Sequence, residues 1–152
     1  MIRIFLERYH SARWLFLLLF FISAGCDGFD SSIPDAYVYV KRDINATKLN
    51  EPNTTCYISK SNLANEGLGY GGIIIVHAFD GEYYAFDLSC PVEHKSDIRI
   101  GYANQSLICK CNSCREEYEL GFGLGTPKNN ISKEALRRYK ITIVNNDIIV
   151  TR

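Results

Sequence analysis

The sequence predicts an all-β domain, a small antiparallel sandwich or barrel of about eight to ten short strands. Three observations carry this expectation. Ten Tyr and eight Phe in 152 residues favour half-buried strands over long helices. Short apolar or alternating runs recur along the chain, separated by Gly, Asn and Asp turn signals. Apolar residues make up 47% and charged residues 22%, a globular composition with length for one domain and a short tail. Seventeen basic residues balance seventeen acidic ones, so no basic face for nucleic acid is expected.

The elements follow in order. Residues 36–41 (AYVYVK) and 54–59 (TTCYIS) carry strand-forming types, and the polar stretch 43–53 between them reads as a loop. Gly71-Gly72 opens the strongest apolar run, 73–79 (IIIVHAF). Asp80-Gly81 is a hairpin signal, and 83–88 (YYAFDL) is the returning strand. Residues 98–102 and 106–109 are further short strands with Asn104-Gln105 turning between them. Residues 117–120 (EYEL) alternate, and 121–130 (GFGLGTPKNN) read as a Gly-rich loop. Residues 132–138 are expected to make one helical turn capped by Ser132. A last hairpin joins 139–144 (YKITIV) to 147–151 (DIIVT) through Asn145-Asn146.

The first 26 residues read as an address. Arg3, Arg8 and Arg13 give a positive start, and residues 14–22 are nine apolar residues without a break. A spanning helix needs roughly 20, so this run fits the apolar region of a signal peptide. Ser23, Ala24 and Gly25 then lead into Cys26. The arrangement resembles a bacterial lipoprotein lipobox, with Ser23 where a branched apolar residue is usual. The resemblance implies removal of residues 1–25, lipidation of Cys26, and attachment to a membrane of the cell envelope, on its periplasmic or surface side. Each buried CH2 of a lipid chain contributes about 0.8 kcal/mol to that attachment. Residues 26–35 read as a polar tether and 36–152 as the folded domain. The alternative is an uncleaved N-terminal anchor helix ending in an ordinary cysteine.

Two segments concentrate the remaining chemistry. The first is Cys90-Pro91-Val92-Glu93-His94, and the second is Cys109-Lys110-Cys111-Asn112-Ser113-Cys114. Cys111 and Cys114 form a CxxC, the spacing that lets one tight loop offer two thiolates to one metal. Cys90 and His94 would complete a four-donor set if the two loops met at one end of a sandwich.

From Gly72 to the C-terminus the chain resembles Rieske-type [2Fe–2S] domains. In that family a strand ends in Cys-x-His, another runs into Cys-x-x-His and a small-aromatic-x-Leu strand, and a Gly/Pro loop precedes a final hairpin. This chain offers YYAFDLSCPVEH, SLICKCNSCREEYEL, GFGLGTPKNN and RRYKITIVNNDIIV. Val92 stands at the family's first His, with His94 two residues on; Cys114 stands at the second His; Arg115-Glu116 replace the usual Gly-Ser. The resemblance implies a Rieske-like fold with two ligand-type loops. A cluster, if held, would have Cys90 and Cys111 on the inner iron and His94 with Cys114 on the outer one. A thiolate in place of one imidazole adds negative charge, which points to a potential between about −400 and −150 mV. Such a chain transfers single electrons at a membrane and does no substrate chemistry itself.

Two other outcomes stay open. Clusters are normally built in the cytosol and exported folded, usually behind an Arg-Arg signal, and no Arg-Arg pair occurs in residues 1–25. Threaded unfolded into an oxidising envelope, the thiols would remain free or form disulfides, Cys90 with Cys111 or Cys114 and Cys109 with Cys56. The chain would then be a cluster-free binding or structural module. Cys90, His94, Cys111 and Cys114 are also a three-Cys, one-His set suited to structural zinc.

Other candidates read as structural. His77 sits in an apolar strand and is expected to be a half-buried imidazole. Asp87 and Glu93 flank the first loop and are expected to be solvated, although Glu93 could orient His94. Gly121, Gly123 and Gly125 have no strand–helix unit around them, which argues against nucleotide binding. With His77 and His94 the only histidines after the leader, the sequence reads as an electron carrier or binding module rather than a catalyst.

Overall fold

The computed structural model describes residues Ser31–Arg152 apart from Asn62. The expected leader (1–25) and the lipidated Cys26 lie outside the described residues. Ten strands form, and every pairing is antiparallel: β1 (Val38–Asp43), β2 (Thr54–Ile58), β3 (Gly67–Leu68), β4 (Ile73–His77), β5 (Tyr83–Asp87), β6 (Ile108–Lys110), β7 (Glu117–Glu119), β8 (Thr126–Pro127), β9 (Arg138–Val144) and β10 (Asp147–Thr151). Seven of them make one sheet in the order β2-β4-β5-β9-β10-β1-β3, and β6-β7-β8 make a second. The described residues contain no helix.

The apolar run at β4 explains the layering. Successive side chains of a strand point to opposite faces. Ile73 and Ile75 enter one core with Val40, Ala85, Ile148 and Val150, whereas Ile74 and Val76 enter a second with Phe86, Leu88, Tyr118 and Leu120. A strand buried on both faces reads as continuous rather than alternating. Full burial of each Ile contributes about 1.5–3 kcal/mol. The second core lies under the small sheet and includes Cys90, Cys109 and Cys111, so the thiol segments sit on packed ground.

The expected strands at 98–102 and 106–109 form only in part. Ile98 and Ile100 lie along the end of the first hairpin, with Ile100 N–H on the Leu88 carbonyl at 2.8 Å and Cys90 N–H on the Ile98 carbonyl at 3.1 Å. Two isolated bridges, Ser89 to Arg99 and Ile100 to Cys111, stitch the two thiol segments together through this stretch.

The helical turn expected over 132–138 does not form. The N–H of Ser132 donates to Glu116 Oε2 at 2.8 Å and that of Leu136 to the Gly125 carbonyl at 2.9 Å, so tertiary acceptors claim the donors a turn would need. Ser132 still caps locally, its Oγ accepting the Glu134 N–H at 3.1 Å. At the other end, the tether residues next to the domain are docked. Ile33 is 1% exposed, its carbonyl accepts from Arg137 at 2.5 Å, and Asp35 pairs with Arg137 and Arg152.

Candidate metal centre

Two loops present the thiols. Each begins at a buried cysteine whose carbonyl accepts the N–H four residues on: His94 onto Cys90 at 3.1 Å, and Arg115 onto Cys111 at 3.0 Å. Each closes on a residue in the left-handed region, His94 at φ 52° and Arg115 at φ 69°. The loops are linked directly, since Ser113 Oγ donates to Glu93 Oε1 at 2.6 Å.

Inside that frame, the sulfurs of Cys90, Cys111 and Cys114 lie within 4.8 Å of one another. Cys90 Sγ and Cys114 Sγ are 3.5 Å apart, too far for a disulfide, whose S–S length is about 2.05 Å. The five described cysteines are free thiols. Burial pushes the Cys90 thiol up to about 12 and raises that of Cys114 as well, so both are protonated at neutral pH until a cation displaces the protons. Two sulfurs on one tetrahedral metal at about 2.3 Å stand about 3.8 Å apart. The donor set therefore fits a thiophilic metal in type and in spacing.

His94 is not part of this group. Its ring is exposed, and Nε2 lies 2.5 Å from Ser32 Oγ on the docked tether. The sequence-predicted set thus divides into three thiols brought together and one imidazole on the outer side of the same turn. Val92, at the family's first His position, is partly buried against the second core. Cys109 is a core thiol: it donates to the Tyr118 carbonyl at 3.6 Å, and burial pushes it up to about 12. Cys56 packs in the first core and Cys109 in the second, so the structure does not bring that pair together.

Three supporting groups escaped the sequence reading. Tyr118, fully buried, places its hydroxyl 3.7 Å from Cys90 Sγ; burial raises its pKa, which keeps the hydroxyl proton on. The alternating EYEL run marks a strand but does not say which face meets sulfur.

Asp87, expected in solvent, is 0% exposed. Its oxygens accept the N–H groups of Tyr70 at 2.8 Å, Gly71 at 3.0 Å and Ser89 at 2.8 Å, the Ser89 hydroxyl, and the Tyr139 hydroxyl at 2.6 Å. Those donors replace water and fix the backbone entering Cys90. The turn opposite needs glycine: Gly69 has φ 71°, and a Cβ there would overlap the Tyr139 hydroxyl.

Glu116 is likewise 0% exposed. Oε1 accepts from the N–H groups of Glu117 at 2.9 Å, Lys128 at 3.2 Å and Asn129 at 2.7 Å, and Oε2 from Ile131 at 2.6 Å and Ser132 at 2.8 Å. Burial alone would raise its pKa. The N–H groups, Ser132 and Asn129 foremost, outweigh burial and hold the carboxyl below its ordinary value. One anion thereby clasps the 128–132 segment beside the CxxC loop. His77 is the half-buried imidazole expected, with Nδ1 3.0 Å from the Glu51 carbonyl and its ring stacked on Tyr83.

The sequence matches no family model and no curated protein. Solved structures do match the fold. A quaternary ammonium Rieske monooxygenase, described for carnitine oxidation by gut microbiota, superposes with a TM-score of 0.51 at 13% identity, over 76% of this chain and 30% of that one. The monooxygenase CntA in complex with gamma-butyrobetaine gives 0.51 at 14% identity, over 76% and 32%. The ferredoxin of carbazole 1,9a-dioxygenase from Nocardioides aromaticivorans IC177 gives 0.46 at 15% identity, over 75% and 97%. The chain has a Rieske-type all-β fold, and it spans about a third of the length of the monooxygenase chains it resembles.

Proposed function

We propose that this chain is a Rieske-type one-electron carrier, anchored in the bacterial cell envelope through lipidated Cys26. The observation that carries the reading is the gathering of the Cys90, Cys111 and Cys114 sulfurs within 4.8 Å under the Tyr118 hydroxyl, at the ligand loops of the fold. A [2Fe–2S] cluster would supply the electron chemistry. The three thiolates would hold it once Cys114, 3.5 Å from Cys90, opens to a wider spacing, with His94 released from Ser32 as the fourth donor. The chain's own part is to exclude water around Cys90 and Cys111 and to aim one hydroxyl at a ligand sulfur. Removing solvent and adding that hydrogen bond are the protein's levers on potential.

A second reading rests on the compactness of the same three sulfurs. Ligands on different irons of a bridged pair stand further apart than ligands on one ion, so the set also suits a single structural zinc. Protein produced with its own leader distinguishes the two. Iron, acid-labile sulfide and visible-region absorbance establish the carrier. Stoichiometric zinc and no colour establish the structural site. His94→Ala should lower metal content in either case, and an unchanged content removes His94 from the ligand set. Cys26→Ser should move the protein to the soluble fraction if the anchor is lipid.

A further inference from the structure

The domain begins at Ser31–Ser32, and the residues that grip the chain there belong to the metal-centre end. Ser32 N–H donates to Glu134 Oε2 at 3.0 Å, and Ser32 Oγ meets His94 Nε2 at 2.5 Å. His94 closes the Cys90 turn, while Glu134 follows the segment clasped by Glu116. Ile33 and Asp35 are pinned by Arg137, so with the Glu134 contact this point stays fixed on the surface even when His94 leaves Ser32 for a ligand position.

Cys26 lies six residues before Ser32, a reach of at most about 20 Å. A domain of this size is about 35 Å across, so the tether is shorter than the body it holds. Beside this point, Lys95 and Lys133 are exposed next to the two gripping residues, and Ile131 is 50% exposed. Of the nearby carboxylates, Glu134 accepts from Ser32 and Glu93 from Ser113, while Asp97 is exposed. Cationic and apolar groups together suit an anionic phospholipid surface. The opposite end is the Asn145-Asn146 turn, seven strand residues beyond Arg137, about 23 Å away.

We propose that the domain lies with its thiol end, the 90–94 loop and the 131–134 segment, against the phospholipid surface, with the 145–146 turn pointing away. A redox partner must then present its own centre at the bilayer surface, either as a membrane protein or as a group held in the lipid. The proposal rests on Cys26 being the lipid anchor.

The sequence allows a clean optical test, because its single Trp, Trp14, precedes Cys26. Full-length variants Ile131→Trp, Lys133→Trp and Ile143→Trp would be processed with their own leader and incorporated into phosphatidylcholine–phosphatidylglycerol vesicles with brominated acyl chains. Ile131 and Ile143 are matched in exposure, 50% and 48%, so both substitutions are tolerated at the surface. Emission from positions 131 and 133 should be quenched at least about twofold more than from position 143, since bromine in the acyl region reports only groups near the interface. Equal quenching, or stronger quenching at 143, in protein that floats with the vesicles would overturn the orientation and leave the anchor standing. Failure of the wild-type chain to float would overturn the anchor, and the orientation with it.

Discussion

In the 90–94 loop the N–H groups of Glu93 and His94 both turn back onto the Cys90 carbonyl; in the 111–115 loop the Arg115 N–H turns back onto Cys111. The two turns share a plan, so their positions can be compared one by one. The first residue of each is a buried thiol at 0% exposure. The fourth is Cys114 in one loop, aimed at the Cys90 sulfur, and Glu93 in the other, hydrogen-bonded to Ser113. The fifth, His94 or Arg115, has positive φ in both. His94 is therefore outside the thiol group for a geometric reason: it occupies the closing position of its turn. One loop is thus a two-donor hook, and the other a one-donor hook whose imidazole is held by Ser32.

The largest effects should come from the thiols. Cys111→Ser and Cys114→Ser each remove a donor from the two-donor hook and should weaken metal retention well over about 100-fold. Cys90→Ser empties the other hook of its only inward donor and should do the same. Cys109→Ser, in the core but outside the group, should leave metal content at the wild-type level and lower only stability. Elemental analysis after gel filtration reads all four. Metal loss in Cys109→Ser would break the division between ligand and core thiols.

Next comes the clasp behind the two-donor hook. Glu116→Ala leaves five backbone N–H groups without their acceptor, and each orphaned buried donor costs about 1–3 kcal/mol unless water enters. The net loss should be about 3–5 kcal/mol in urea unfolding, with metal retention falling because the 128–132 segment no longer closes beside the loop. Glu116→Gln keeps one carbonyl oxygen and should cost about half as much. A loss under about 0.5 kcal/mol for Glu116→Ala would mean that the clasp is incidental.

How much of this was legible in the sequence follows from the range of each interaction. Strands β2, β4, β5 and β10 lie within the expected runs, and β9 starts one residue before its run, because their pattern and turns are local. The two-residue strands β3 and β8 carry no period to read, and the 132–138 stretch lost its helical turn to acceptors far away in sequence. The pairing of Cys90 with the CxxC was readable from residue type and spacing. The dispositions of Asp87 and Glu116 were not, because a carboxylate in a loop looks the same in sequence whether water or backbone N–H groups surround it. His94 illustrates a different gap: one residue of displacement in a turn changes which way a ring points, and composition does not record that.

A gain of function sharpens the comparison further. Val92 occupies the third position of its loop and packs partly buried against the core that contains the thiols. Val92→His places an imidazole at the position where the Rieske pattern has one. It should tighten metal binding by about tenfold, at a packing cost of about 1 kcal/mol. The double variant Val92→His/His94→Ala should keep its metal even where His94→Ala alone lowers the content. If Val92→His binds no better than wild type, the third position does not face the sulfurs, and the one-donor hook cannot be completed from within its own turn.

The smallest effect tests the closing position itself. Arg115 holds φ 69°, a conformation that costs an L side chain about 1–2 kcal/mol and costs glycine nothing. Part of that gain is returned through the greater freedom of glycine in the unfolded chain. Arg115→Gly should therefore raise stability by about 0.5–1 kcal/mol without changing metal content. His94→Gly relieves the same backbone conformation but also removes the contact with Ser32 at 2.5 Å, so its gain should be smaller or absent. Equal gains at the two positions in matched urea titrations would show that the Ser32–His94 contact contributes nothing to holding the tether, and would leave that segment held by Glu134 and Arg137 alone.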